Sequence, residues 1–144
     1  MSKSNVKNFY FLIMVDELMV QQQVENVWQH MVGVICLNLT SRNQVKPILT
    51  ELFNITPTPE EFLKVWQHDS LSDFIKPLGM FNIRAHRIMR MTHDIFKWDG
   101  EDATKLFGIG KYGSDSYRIF YKNEIPDDVE DKELKRYIEE ELWN

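Results

Sequence analysis

One cysteine, Cys36, is all the chain has, so an internal disulfide and a four-cysteine iron–sulfur cluster are excluded and a structural zinc site is unsupported. Set in the apolar run VGVICL, that thiol reads as a small buried residue. The four histidines, His30, His68, His86 and His93, never fall in a paired H-x-x-x-H spacing and are expected to be surface or locally bonded imidazoles. No stretch of about eighteen apolar residues occurs. The longest apolar patches are broken by Asp16, Glu17, Gln29 and His30, so neither a membrane span nor an ordinary signal peptide is indicated. Internal repeats, low-complexity tracts, interdomain linkers and a convincing alternating strand series are all missing as well.

Positive charge is also scarce. A formal charge of -5 argues mildly against a polyanionic partner, because phosphate contacts need lysine and arginine. The deficit is uneven, however. Residues 1–80 carry six basic and eight acidic side chains, residues 81–122 eight and five, and residues 123–144 three and nine. The middle section is locally +3, and within a screening length of about 10 Å a polyanion meets that local charge rather than the total.

What remains is 144 residues, 43% of them hydrophobic, enough for one core and a single domain over residues 1–144. Residues 1–20 leave strand and apolar arm both open. Over residues 24–37, Val24, Val27, Trp28, Met31, Val32, Ile35 and Cys36 recur at helical spacing and predict a buried helix ending in LTSRN. Residues 44–54 predict another, with Pro47 fitting only a first turn. Thr58, Pro59 and Glu61 then give a cap, a first helical residue and a capping-box partner. SLSDFIKPLG reads as a short helix stopped at Pro77 and Gly79.

NIRAHRIMRMTHDIF places Ile83, Ile88, Met91 and Ile95 on an apolar stripe, with Arg84, Arg87 and Arg90 mostly directed elsewhere. A basic face recurring every three residues fits phosphate contact, and a solvated face would have the same pattern. Short helices are expected over residues 101–107 and 114–122, and an amphipathic one over residues 131–142 through Leu134, Tyr137, Ile138 and Leu142. The tryptophans, including Trp28 and Trp66, are chiefly core candidates.

Between two of these helices stands LFGIGKYGSDSYRIF, with glycines at 108, 110 and 113. The spacing formally matches G-x-G-x-x-G, but a dinucleotide cradle must follow a parallel strand, and EDATKLF is a poor one. Helix, tight turn, helix fits better: Gly108 and Gly110 allow close approaches, and Ile109 anchors the turn. Such a turn is either a structural corner or a phosphate grip, with the amides at Gly110 and Lys111 pointing from the start of the next helix.

These residues resemble the helix–hairpin–helix DNA glycosylase superfamily, and most closely the glycosylase domains of its methyl-CpG-binding-domain branch, which acts on thymine and uracil mismatches. The likeness runs over about residues 18–144 through VQ at Gln21, ICLNLTS, KPLGMFNIRAHRI, the hairpin and EDKELKRYIEEELW. It implies an all-α, two-lobed helix–hairpin–helix fold without an iron–sulfur cluster, with the hairpin at residues 101–122 and a catalytic loop and C-terminal helix at 123–144. The implied activity is base-excision repair in the nucleus: removal of uracil or thymine mispaired with guanine after the nucleotide is flipped out of the duplex. The partner implied is double-stranded DNA containing a mismatched or damaged pyrimidine, together with other repair proteins, bound by a monomer without a membrane role.

The same resemblance assigns site residues. Asp131, 23 residues after Gly108, takes the place of the catalytic aspartate, with Asp127 and Asp128 as neighbouring alternatives; by itself Asp131 is an ordinary N-cap. Tyr112 stands where lyase members carry a Schiff-base lysine, which implies a monofunctional enzyme; packing at the lobe interface is its plainer role. Gln21 resembles the glutamine that bonds the flipped pyrimidine, within a run that also reads as solvated. Leu39 and Met80 resemble the residues that fill the vacated stack, with Leu39 where the nearest branch has arginine; core packing is the alternative for both. Gly108, Gly110, Lys111, Gly113 and Ser114 form the implied phosphate grip, helped by Arg84 and Arg87. No cofactor is expected, apart from the monovalent cation that hairpin carbonyls hold in some members. A noncatalytic helical module that binds DNA or scaffolds repair is the rival reading.

Overall fold

The computed structural model describes residues 26–139, and all its regular structure is helical. The arm expected over residues 1–20, Gln21, and the end of the helix expected over residues 131–142 lie outside those residues. Among the described residues seven α-helices run in order: α1 Val27–Leu37, α2 Arg42–Ile55, α3 Pro59–Val65, α4 His68–Phe74, α5 Phe81–Ile95, α6 Lys111–Tyr121 and α7 Lys132–Tyr137. Two 3₁₀ turns, Lys76–Leu78 and Ala103–Lys105, lead into α5 and α6. Among the described residues no helix is long and apolar enough to cross a membrane.

The apolar sequence of α1 explains its place at the centre. Every residue from Trp28 to Cys36 is buried, and the helix packs against α2, α5 and α6 at once. A helix apolar on all sides has to be enclosed. Its polar members are bonded to the surrounding shell: Trp28 Nε1 donates to Thr92 Oγ1 at 2.9 Å, Gln29 Nε2 to the Pro57 carbonyl at 2.8 Å, and His30 Nε2 meets Ser116 Oγ at 2.8 Å. The Trp28 ring also stands edge-on to Phe53 and Phe62. Truncating it to alanine is expected to cost about 3–5 kcal/mol.

Side-chain caps set the helix starts. Asn26 accepts from Gln29 N, Ser41 from Gln44 N and Thr58 from Glu61 N. Because Ser41 rather than a later residue caps α2, Pro47 lies inside the helix and not in its first turn. The side of α2 that carries it is exposed, so the carbonyl that loses its helical donor faces solvent. The α6 helix likewise starts at Lys111, earlier than the expected 114, which places Gly113 within it.

Two apolar clusters result. The larger gathers α1 to α5 with Leu106, Ile109 and Tyr117. The smaller joins Ile119 and Phe120 of α6 to Val129, Leu134 and Ile138. Tyr112 packs against both, so α6 is the wall between them.

Candidate active site

The glycine turn is anchored from below. Leu106 and Ile109 are buried, and Ile109 N donates to the Leu106 carbonyl at 3.1 Å. Gly108 between them has φ 81°, and a Cβ there would lie 3.3 Å from Cβ of Arg87. The turn therefore needs glycine both for its conformation and for its contact with α5. Gly110 caps α6 and faces open space. Gly113 does something else: an added Cβ would meet Ile109 Cγ2 at 2.6 Å and Val34 Cγ1 at 3.1 Å, so this residue lets α6 approach α1. Ser114 lies on α6, one turn in, its N–H donating to the Gly110 carbonyl.

The basic helix α5 holds the turn from the side. Asp94 Oδ2 accepts from Phe107 N at 2.9 Å, and the Arg90 guanidinium lies 4.4 Å from the Phe107 ring centre. Arg84, Arg87 and Arg90 do not share one role. Steps of three residues drift by about 60° each on an α-helix, so about 120° separates the first arginine from the last. Arg87 and Arg90 line the cleft beside the turn, whereas Arg84 is 1% exposed. The expected phosphate contact by Arg84 is thus corrected: its guanidinium donates to the carbonyls of Leu78 at 2.6 Å, Gly79 at 3.1 Å and Asn38.

A cleft of about 1170 Å³ opens between this turn, the C-terminal end of α1 and the start of α7. Among the described residues, Arg42, Arg87, Arg90, Lys105, Lys111 and Lys132 line it against only Asp94 and Asp131, so these residues of the acidic chain present a positive concavity. Of the three candidate aspartates, Asp131 is the one in this lining. Its Oδ2 accepts from Leu134 N at 3.0 Å, which caps α7, and Val129 and Leu134 fix the flanking chain in the smaller apolar cluster. Capping and facing the cleft are therefore compatible.

Asp128 instead pairs with Lys111 at 3.2 Å, and Lys111 also meets Asp115 Oδ2 at 3.1 Å. Desolvation works against the ammonium, but hydrogen bonds and charge from Asp115 and Asp128 outweigh it and hold the lysine above its usual pKa. The Lys111 hydrogen bond and charge likewise pull the Asp128 carboxyl below its usual value. Beside it, Tyr112 is half-buried in the same lining.

Leu39 and Met80 are exposed, at 85% and 47%, and both take the left-handed conformation with φ 63° and 48°. That conformation costs an ordinary residue about 1–2 kcal/mol. Core packing is thus not what either side chain does. Leu39 lines the cleft; Met80 and Ser114 do not.

Sequence reasoning missed several participants, Lys105 on the 3₁₀ turn before the glycines among them. Arg42 and Lys132 sit beside loop ends with no motif of their own, and Asp94 reaches Phe107 across thirteen positions. The Lys111–Asp115 pair did carry a signal, its i,i+4 spacing.

No family model matches the chain. A methyl-CpG-binding domain protein 4-like protein of Arabidopsis thaliana is 30% identical over 93 residues, 65% of this chain and 21% of its own. A solved thermostable thymine-DNA glycosylase superposes with a TM-score of 0.64 at 19% identity, covering 85% of this chain. The chain is similar to part of each of these two proteins. Its all-helical fold is the one that solved glycosylase has. The chain spans about a fifth of the length of the plant relative and 58% of the solved one.

Proposed function

We propose that the chain is a monofunctional DNA glycosylase that hydrolyses the N-glycosidic bond of uracil or thymine mispaired with guanine. One juxtaposition supports this most: the Asp131 carboxylate lines the same positive cleft as the glycine turn. The names carried by the two similar proteins, a methyl-CpG-binding domain protein and a thymine-DNA glycosylase, support a pyrimidine in DNA as substrate.

In this reading the backbone amides at Gly110 and Lys111, at the positive end of α6, grip a phosphate without regard to base sequence. Arg87 adds charge beside them. The target nucleotide turns out of the stack, Leu39 and Met80 occupy the space it leaves, and Gln21 bonds the pyrimidine edge. The carbon–nitrogen bond breaks with both electrons leaving on the base, so positive charge develops on the sugar. The Asp131 carboxylate, at a helix N-terminus, stabilises that charge, orients the water whose oxygen bonds to the anomeric carbon and takes the proton that water loses, while the departing base anion is protonated from solvent. The phenol of Tyr112 forms no Schiff base, and Lys111 is occupied as a paired ammonium, so the product is an abasic site in an unbroken strand. The reading includes a nuclear, monomeric repair enzyme working without a bound cofactor.

A product assay tests it. The full chain is incubated with duplexes carrying uracil, thymine, hydroxymethyluracil or alkylated bases opposite each normal base, then with alkali. Cleavage is expected for uracil and thymine opposite guanine, and only after alkali. Asp131→Asn is expected to slow excision by about 10²–10⁴-fold while duplex affinity and melting stay near wild type. Duplex binding without abasic product on any substrate would make the chain a noncatalytic module, and borohydride trapping of a covalent complex would overturn the monofunctional assignment.

A further inference from the structure

Arg84 is a buried cation whose resolved hydrogen bonds go to three main-chain carbonyls on two separate loops. Placing a guanidinium there is costly, and a turn that only had to be satisfied could use smaller polar groups. The position of the acceptors is informative. The Asn38 carbonyl immediately precedes Leu39, and the Gly79 carbonyl immediately precedes Met80. The third acceptor, Leu78, also receives the hydroxyl of Thr40 at 3.4 Å, from the residue after Leu39. One planar fork therefore joins the loops that carry the two exposed apolar side chains. A fork can do this and an ammonium cannot, because its nitrogens are fixed relative to one another.

Both loops also hold a non-glycine residue in the left-handed region. A corner that only had to turn would be easier to build with glycine or asparagine. A leucine 85% exposed and a methionine 47% exposed at such positions are kept for what their side chains do outside the fold. Two strained loops would ordinarily fluctuate independently; joined through Arg84 they form one platform.

We infer that Arg84 is a positioning residue for base eversion, locking Leu39 and Met80 together as a single two-pronged wedge for the duplex. This rests on the glycosylase reading for its connection to excision. The guanidinium touches no substrate and acts through the two wedge side chains.

The test follows unstacking separately from chemistry. 2-Aminopurine is placed beside the mismatch, and its fluorescence on binding is compared for wild type, Arg84→Lys, Leu39→Ala/Met80→Ala and the triple variant, with melting curves for each. Arg84→Lys is expected to stay folded, bind duplex within about twofold of wild type, and lose most of the fluorescence rise with an excision rate at least about tenfold lower. On a single-stranded substrate, where nothing has to be prised open, its excision should match wild type. In the background lacking both apolar prongs the lysine substitution should have no further effect. An equal loss on single and double strands, or a full further loss in the prong-less background, would overturn the inference. Should Arg84→Lys not fold, Thr40→Val removes only the second tie between the loops: a smaller loss of the same kind supports the inference, and an unchanged fluorescence rise counts against it. If wild type excises no base at all, the functional reading fails, while the fluorescence comparison still decides the positioning role.

Discussion

Lys111 and Asp115, one turn apart on α6, meet at 3.1 Å, and the carboxylate is the buried partner of the two. The ammonium thus stands at the mouth of the cleft while its charge is committed inward and to Asp128. Replacing it takes the hydrogen-bonded cation away from the buried Asp115 carboxylate. Lys111→Met is expected to lower the thermal midpoint, and Lys111→Met/Asp115→Asn to recover most of the loss, since the double variant keeps no buried carboxylate without its ion-pair partner and the exposed Asp128 is solvated. Melting curves of the two variants check this; a double variant no more stable than the single one would mean the pair is not what holds this end of α6.

The three hairpin glycines separate folding from binding. Gly110→Ala adds a methyl group into open space at an exposed position with φ -107°, so stability should stay within about 0.5 kcal/mol. Gly108→Ala meets a left-handed φ and the Arg87 stem and is expected to cost about 1–2 kcal/mol. Gly113→Ala overpacks against Ile109 and Val34 and is expected to cost about 1–3 kcal/mol. If a DNA phosphate rests on the turn, Gly110→Ala, the mildest for folding, weakens duplex affinity. Urea titration and a binding isotherm on the same preparations separate the two effects, and unchanged affinity in Gly110→Ala would remove the phosphate from this turn.

The sequence made the helical nature of the chain legible because its apolar residues repeat at helical spacing and its caps are short polar residues next to prolines, as at Thr58–Pro59. The glycine turn was legible for the same local reason. Arg84 was not. Its spacing to Arg87 and Arg90 gives a basic face on paper, and only the drift of a real helix, together with the arrival of Asn38 from a distant segment, turns it inward. Pro47 was misplaced because a proline on an exposed helix face can be tolerated several residues in, which a rule about first turns does not anticipate. The downstream pattern D-x-x-L-x-R already favoured Asp131 over Asp127 and Asp128, while its place in the cleft lining depends on the apolar anchors Val129 and Leu134.

Cys36 gives the fold an alkaline limit. Burial pushes its thiol from 9.0 up to about 12, against a smaller opposing effect of the Arg84 charge. The folded state thus binds the thiol proton more tightly than the unfolded state does. The stability this represents is complete below pH 9 and is lost as the pH climbs towards 12, at about 1.4 kcal/mol per unit. Burial raises the phenols of Tyr117 and Tyr121 as well, and they add to the decline once unfolded tyrosine ionises near pH 10. Urea midpoints measured between pH 8 and pH 10 should fall for wild type and fall less for Cys36→Ala; parallel slopes would mean the thiol is not the group responsible.

Leu39 presents a trade between stability and action. A left-handed backbone suits asparagine far better than leucine, and an 85% exposed side chain has little packing to lose. Leu39→Asn is therefore expected to raise the thermal midpoint, by about 3 °C for each kcal/mol of strain relieved. The same change replaces the apolar tip with a short polar one that is easily hydrated and replaces lost stacking poorly, so excision from duplex DNA should fall while excision from single strands does not. A calorimetric scan beside the two excision rates checks both halves. A lower midpoint would mean that the leucine is held by contacts its exposure denies, and an undiminished duplex rate would mean that the strain at residue 39 serves something other than the wedge.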